Sequence, residues 1–113
     1  MTKEKIIVAN AFSLQMVNEF PSSLKMEEIT TADFNEVIKS GNFISAVGHQ
    51  DTATLLGVPC NRINVSIDKE TTLVVAQLVG GRLPEGSTTL PEGFSFKFIK
   101  VELEGKDEDF LII

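Results

Sequence analysis

The feature of this sequence that most constrains its fold is the uninterrupted apolar run Ile6-Ile7-Val8-Ala9 near its start. Apolar residues without polar alternation predict a strand that is buried on both faces, as in the centre of a parallel or mixed sheet. Such a strand needs other elements to cover it on each side. A chain of 113 residues has room for one hydrophobic core. We therefore expect residues 1–113 to form a single domain.

Several further stretches have the patterns of strands. Alternating or continuous apolar residues predict strands over residues 24–26, 62–67, 73–79 and 94–103. The apolar phase of the last of these shifts at Ile99, which indicates either a bulge or a strand buried on both faces. Residues 42–47 fit a short strand and a helical turn equally well. Together these patterns predict a mixed β-sheet of about five strands.

Helices are expected between the strands. Thr30 stands three residues before Asp33, which is a helix-start signal. Apolar residues recur at helical spacing from Ala32 to Ile38, and Gly41 ends that pattern. A short helix is expected over residues 12–20, where Pro21 stops it, and another over residues 52–56. The latter helix has an N-cap candidate in Gln50 or Asp51 and a terminating glycine in Gly57. We therefore predict an α/β sandwich in which helices flank the sheet.

Charge and rare residue types exclude several classes of function. A formal net charge of −6 argues against a broad basic face for DNA, although a few cations suffice for a small nucleotide. The single cysteine, Cys60, excludes an internal disulfide, and the single histidine, His49, excludes a multi-histidine metal site. The N-terminal apolar run is too short for a signal peptide or a membrane span. We expect a soluble cytoplasmic protein with no metal or other cofactor.

Polar side chains follow the predicted strands or interrupt them. Asn10 and Ser13 come after the first strand, and the carboxyl ends of strands commonly present ligand-binding groups in α/β sheets. His49 follows a glycine at the start of a predicted helix, where free backbone N–H groups favour an anion. The remaining candidates lie on a polar strand face, in an apolar strand and in the glycine-rich loop of residues 80–93: Arg62, Gln77, Arg82 and Glu85.

Each of these side chains also has an ordinary structural explanation. A lone histidine at a helix start commonly serves as a cap or lies at the surface, and polar residues after a strand commonly form turns. The other candidates fit a solvated strand face, a hydrogen bond within the sheet and ordinary loop charges. By residue pattern alone, the sequence defines an α/β domain and leaves its function open.

The order of the polar motifs resembles one family. The chain carries, in succession, Ala9-Asn10-Ala11-Phe12-Ser13, Val47-Gly48-His49-Gln50-Asp51-Thr52-Ala53, Asn61-Arg62-Ile63-Asn64-Val65, Gln77 and Arg82-Leu83-Pro84-Glu85-Gly86. Over residues 6–103 this arrangement closely resembles the viral ring nucleases, the type III anti-CRISPR proteins of archaeal viruses, bacteriophages and prophages. That family was long described only as a domain of unknown function. Each motif is modest alone, and the specificity lies in their order and spacing.

The resemblance implies a homodimer that binds cyclic tetra-adenylate between its subunits and cuts it to linear di-adenylate. It assigns His49 as the general acid, with Arg82 and Glu85 shaping the active site from the loop. It also implies a set of ring contacts: Asn10, Ser13, Gln15, Asp51, Thr52, Arg62 and Gln77. Asp51 and Gln15 stand where some relatives carry serine and asparagine, so the chain departs from the family pattern there. Residues 105–113 extend beyond the family core.

A histidine suits this chemistry. The ribose 2′-hydroxyl attacks the adjacent phosphate, and the departing 5′-oxygen needs a proton, which an imidazolium can supply near neutral pH. Two alternatives stay open: a protein that sequesters the cyclic nucleotide without cutting it, and a module that blocks a host protein. A DNA-binding regulator is disfavoured by the acidic balance. The expected location is the host cytoplasm if the gene is viral or prophage-borne.

Overall fold

The computed structural model describes residues 5–18, 20 and 22–104. Within these ranges the strands are β1 (Lys5–Ala9), β2 (Ser23–Ile29), β3 (Ile44–Ser45), β4 (Thr71–Val79) and β5 (Ser95–Glu104). The α-helices are α1 (Thr31–Ser40) and α2 (Gln50–Leu56), and a short 3-10 helix spans Leu14–Met16. The predicted α/β architecture with a five-stranded mixed sheet is confirmed. The expected extension at residues 105–113 and the expected helix stop at Pro21 lie outside the described residues.

The direction of the strands determines where a site can form. The strand order is β2-β5-β4-β1-β3, and β1 lies between two parallel neighbours, β3 and β4. The other two pairings, β2 with β5 and β4 with β5, are antiparallel. Residues 7–9 of β1 are buried, as its apolar run predicts. Because β1, β3 and β4 run in the same direction, their carboxyl ends meet at one edge of the sheet.

The first helix forms as its sequence predicts. Thr30 accepts a hydrogen bond from the Asp33 amide at 3.1 Å, and the Asp33 carboxylate accepts one from the Thr30 amide at 3.2 Å. This reciprocal capping box satisfies two amides that would otherwise lack partners at the helix start. Gly41 ends the helix with a φ of 68°, a left-handed conformation that glycine adopts without steric cost.

The two faces of the sheet are covered differently. Both α-helices pack on one face, which we call the helical face; its core is Val8, Phe34, Val47, Ala53, Leu56, Val58, Val74, Ala76 and Phe98. The 3-10 helix and the segment around Val65 pack on the other, which we call the loop-covered face; its core is Ile7, Ala9, Ile67, Leu73, Val75, Val101 and Leu103. Within the described residues, the sheet therefore has apolar cover on both sides, with α-helical cover on only one.

Strand β5 contributes apolar side chains to both faces of the sheet, and its pairing with β4 contains no bulge. Its pairing with β4 keeps one register from Thr72↔Glu102 to Val79↔Ser95. Phe98 packs on the helical face, whereas Ile99 and Val101 pack on the loop-covered face. The shift of apolar phase at Ile99 thus marks a strand buried on both faces, which was one of the two predicted explanations.

The predicted strand over residues 62–67 is wrong. This segment has no strand pairing except an isolated bridge between Ile67 and Val17. Both edges of β1 are already taken by β3 and β4, so the segment crosses the loop-covered face instead of joining the sheet beside β1. Val65 and Ile67 still pack inward, while Ile63 remains 43% exposed. The alternation of polar and apolar residues here reflects the packing of Val65 and Ile67 against the sheet. It does not make the segment a strand of that sheet.

The predicted helix over residues 12–20 is also wrong, since of the residues described there only Leu14–Met16 is helical, as a 3-10 helix. Beyond it the chain pairs with a distant segment: the Ile67 amide donates to the Met16 carbonyl at 2.9 Å. The Asn18 side chain donates to the Ser66 hydroxyl at 2.7 Å. In a helix over residues 12–20, the backbone and side-chain groups that make these long-range bonds would point elsewhere.

Two smaller expectations are resolved around β3 and α2. Of the two structures that residues 42–47 allowed, a short strand forms at Ile44–Ser45, parallel to β1. The N-cap of α2 is His49, and neither Gln50 nor Asp51 takes that position, because the helix begins at Gln50. Gly57 ends this helix with a φ of 77°, as predicted.

Candidate active site

Three polar residues from distant parts of the chain meet at the carboxyl edge of the parallel strands. Asn10 directly follows β1, His49 lies just beyond β3, and Arg82 lies just beyond β4. Side chains that follow parallel strands in α/β proteins converge at the same edge, where ligands commonly bind. The strand directions therefore bring together residues that are far apart in the sequence.

These residues line one cavity of about 330 Å³, which we call the central cavity. Its lining consists of Asn10, His49, Thr52, Ala76, Leu78, Arg82 and Leu83. His49 occupies the N-cap position of α2, yet its side chain makes no capping hydrogen bond. The imidazole is therefore not used to cap the helix, and it shares the cavity with a guanidinium group.

Two further cavities share Asn10 with the central cavity. One, of about 570 Å³, is lined by Asn10, Ala46, Gly48, Arg62, Ile63 and Asn64. The other, of about 480 Å³, lies over the loop-covered face; its lining includes Gln77, Lys97, Phe12 and Met26, and also the acidic residues Glu27 and Glu28. Asn10 thus stands at the junction of three concave surfaces, and it is itself half-buried.

Ser13 and Gln15 lie at one end of this surface. They line a fourth cavity, of about 460 Å³, together with Asn18. Ile63 and Asn64 also line it, and these two residues are shared with the cavity of Arg62. The structure therefore places both residues beside the predicted site, and neither of them lines the central cavity with His49.

Arg62 is held in place by the residue before the histidine. Its Nε donates to the Gly48 carbonyl at 2.9 Å. The arginine stem lies so close to Gly48 that a Cβ added there would be 2.9 Å from Arg62 Cγ. Only glycine leaves room for this approach, so Gly48 positions the guanidinium beside the segment that carries His49.

Two residues that sequence reasoning missed support this segment. The Asn61 amide donates to the Val47 carbonyl at 2.8 Å, and Asn61 Nδ2 donates to the Ser45 carbonyl at 2.7 Å. The Ser45 hydroxyl in turn donates to the Pro59 carbonyl. These bonds fasten the chain after β3 to the chain before Arg62. Asn61 lies within a quoted motif and was thus detectable, whereas Ser45 had no sequence signal.

The structure places the two acidic candidates differently. Asp51 Oδ2 accepts a hydrogen bond from the Gly86 amide at 2.9 Å, which joins α2 to the glycine-rich loop. Glu85 is exposed and lines none of the four cavities described above. The predicted loop at residues 80–93 is confirmed, since neither helix nor strand occurs there.

The two cavities that contain an arginine are suited to an anionic ligand. Arg62 and Arg82 line adjoining cavities within a chain whose formal net charge is −6. Guanidinium groups bind phosphates through paired N–H donors, and Asn10 and Gln77 add amide groups that can donate to oxygen or to a base edge. An anionic ligand that carries further hydrogen-bonding groups fits this mixture.

The described residues lack two further kinds of feature. Between residues 5 and 104, as far as they are described, no group of three or more histidine, cysteine, aspartate or glutamate side chains is arranged to hold a metal ion. The same part of the chain has no helix long and apolar enough to cross a membrane.

Fold and site together define a small mixed-sheet α/β domain with a polar cavity at the carboxyl ends of its parallel strands. The chain belongs to the STIV B116-like family, whose model matches residues 6–102. This agrees with the family resemblance noted over residues 6–103. No curated protein sequence matches the chain.

A solved structure has the same fold. B116 of Sulfolobus turreted icosahedral virus superposes with a TM-score of 0.72 at 24% sequence identity. The match covers 87% of this chain and 98% of the viral protein. The fold is therefore one found in a protein of an archaeal virus.

Proposed function

We propose that this protein is a ring nuclease that cuts cyclic tetra-adenylate to linear di-adenylate, and so counters type III CRISPR immunity. The observation that carries the proposal is the central cavity, where His49 and Arg82 lie together beside Asn10. A proton donor and a cation are groups that assist the cleavage of a phosphodiester, and an amide can bind the ribose or a base. Membership of a family named after a viral protein supports an origin in conflict between virus and host.

The proposed chemistry uses the substrate's own nucleophile. A ribose 2′-hydroxyl attacks the adjacent phosphorus, the bond from phosphorus to the 5′-oxygen breaks, and a 2′,3′-cyclic phosphate remains. The His49 imidazolium gives its proton to the departing 5′-oxygen, and the proton of the 2′-hydroxyl passes to solvent. General acid catalysis of this kind contributes about 10²- to 10⁴-fold to the rate.

The arginines would act on charge and orientation. Arg82 lines the same cavity as His49, so it is placed to neutralise charge that develops on the phosphoryl oxygens. Arg62, anchored by Gly48, would hold a neighbouring phosphate. Asn10 and Gln77 would contact ribose or adenine. Holding the ring in this way aligns the 2′-oxygen with the leaving oxygen.

A homodimer completes the proposal. A ring of four identical nucleotides has two-fold symmetry, and a two-fold dimer presents identical groups to its opposite sides. Two copies of His49 would then cut opposite phosphates, which yields two di-adenylates. Each subunit needs to supply only one general acid, and this chain has only one histidine to offer.

The test is incubation of the purified protein with cyclic tri-, tetra- and hexa-adenylate in the presence of a chelator, read by product chromatography. We expect linear di-adenylate from the tetra-adenylate. His49→Ala should lose about 10²- to 10⁴-fold in turnover and keep most of its affinity for the ring, because the proton donor acts mainly in the transition state.

The outcomes separate the alternatives. Full turnover by His49→Ala would remove the proposed role of the imidazole. Tight binding without any product from the wild-type protein would indicate sequestration. Absence of both binding and product, with a host protein retained by His49→Ala, would favour an interaction module. Sedimentation of the protein with and without the ring tests the dimer.

A further inference from the structure

We infer that Asp51 is a positioning residue that clasps the glycine-rich loop onto α2 and thereby holds Arg82 against the central cavity. The inference rests on the proposed function for its catalytic consequence, while the clasp itself is a property of the fold. It starts from one contact: Asp51 Oδ2 accepts the Gly86 amide at 2.9 Å across 35 residues of sequence.

The clasp acts on a defined turn. The Ser87 amide and hydroxyl both bond to the Pro84 carbonyl, at 3.3 and 2.6 Å. Gly86 has a φ of 80°, a value that the third position of a type II turn requires and glycine readily adopts. Its amide therefore points outward from a preformed turn, where the carboxylate of Asp51 receives it.

The base of the loop is held separately. A Cβ added to Gly80 would be 2.8 Å from the Gly93 carbonyl and 2.9 Å from Phe94 Cα, so the two ends of the loop are in close contact. The loop is thus attached twice, at its base through Gly80 and at its turn through Asp51. Arg82 lies between these two attachments, and Leu83 beside it lines the central cavity.

The geometry makes the loop's position depend on α2. Asp51 directly follows Gln50, the first residue of the helix whose N-cap is His49. The clasp therefore sets the distance between the element that carries the proton donor and the loop that carries the guanidinium. Without it, the loop would lose its hydrogen bond to α2, and Arg82 would be less restrained.

Two substitutions of Asp51 distinguish the effect of its acceptor oxygen from the effect of its charge. Asp51→Ala removes the acceptor oxygen, whereas Asp51→Asn keeps an oxygen that can accept from Gly86. Gln50→Ala is the matched control, because that exposed side chain bonds only within α2, to Thr54 at 3.1 Å. Neither Asp51 nor Gln50 lines the central cavity.

The first measurement needs no nucleotide. Trypsin cleaves after Arg82 when the loop leaves its folded position, so the rate of this cut in the full-length protein reports loop opening. Loss of one hydrogen bond of this kind should raise that rate about three- to tenfold in Asp51→Ala. Asp51→Asn and Gln50→Ala should stay near the wild-type rate. Unchanged cutting in Asp51→Ala would overturn the clasp.

The second measurement tests the positioning role with cyclic tetra-adenylate. Asp51→Ala should lower turnover about three- to tenfold, Asp51→Asn should restore most of it, and Asp51→Ala added to Arg82→Ala should cause little further loss. Equal damage by both Asp51 substitutions, or full additivity with Arg82→Ala, would overturn positioning through the loop. If the wild-type protein forms no product, the proposed function fails, and the tryptic rates still decide the clasp.

Discussion

The helical face of the sheet and its carboxyl edge differ in whether their side chains are packed within the protein or exposed. On the helical face, Phe34 is 3% exposed and stacks on Phe98 with ring centroids 4.2 Å apart. At the edge, His49 and Arg82 are exposed and line the central cavity, and the His49 side chain makes no capping hydrogen bond. The packed side chains stabilise the fold, and the exposed side chains at the edge are accessible to a ligand.

The largest effect that tests this contrast is expected from Phe34→Ala. Removing a buried aromatic ring that stacks on a neighbour leaves a cavity and should lower the free energy of unfolding by about 3–5 kcal/mol. Chemical denaturation measures this loss. At a temperature where the variant is still folded, its turnover should remain close to that of the wild type. A large loss of turnover in the folded variant would show that the core and the edge are not separable.

Arg82→Ala should do the opposite. We expect ring binding to weaken and turnover to fall by about 10²-fold, since a cation aimed at developing charge is removed. The free energy of unfolding should change by less than about 0.5 kcal/mol, because the side chain is exposed. Lys39→Ala, which removes an exposed cation at the end of α1, is the charge-matched control. Unchanged binding and turnover in Arg82→Ala would exclude it from the site.

Gly48→Ala tests the carboxyl edge by adding a single methyl group beside Arg62. The new Cβ would be 2.9 Å from Arg62 Cγ, so the arginine stem has to move and its bond to the Gly48 carbonyl should be lost. Ring affinity should fall about tenfold, the scale of one charge-assisted hydrogen bond. Calorimetric titration measures this, and Gly48→Ala should add little to Arg62→Ala. Full additivity of the two would mean that Gly48 acts through another group.

The smallest expected effect is that of Asn61→Ala. Loss of the bond from Asn61 Nδ2 to the Ser45 carbonyl should lower the free energy of unfolding by about 0.5–1.5 kcal/mol. Denaturation curves of this variant and of the exposed-surface control Asn35→Ala provide the measurement. A loss no larger than that of the control would show that the segment after β3 is held by other contacts.

Much of the fold was predictable because its signals are local. The apolar run of β1, the caps of α1 and the long apolar strands β4 and β5 each lie within about ten neighbouring residues. The order of the polar motifs was equally visible, and it indicated the family that the comparison confirms. Four of the residues that line the central cavity were therefore predictable as site residues: Asn10, His49, Thr52 and Arg82.

The wrong predictions share a physical cause. The segments at residues 12–20 and 62–67 have helix-like and strand-like patterns, yet each takes its conformation from the other through Val17, Ile67 and Ser66. A local pattern records which residues are apolar and how they alternate. It does not record which partner is within reach when neighbouring strand positions are already occupied.

By itself, the sequence determined the buried centre of the sheet, the caps of α1 and the set of polar residues that accompany them. The tertiary structure alone decided that Asn10, His49 and Arg82 share a cavity. It also decided that the side chain of Arg62 packs against Gly48 and that the Asp51 carboxylate accepts a hydrogen bond from the Gly86 amide. The reason is that each of these contacts joins groups from different parts of the chain. Only the parallel arrangement of β1, β3 and β4 brings the first three together at one edge.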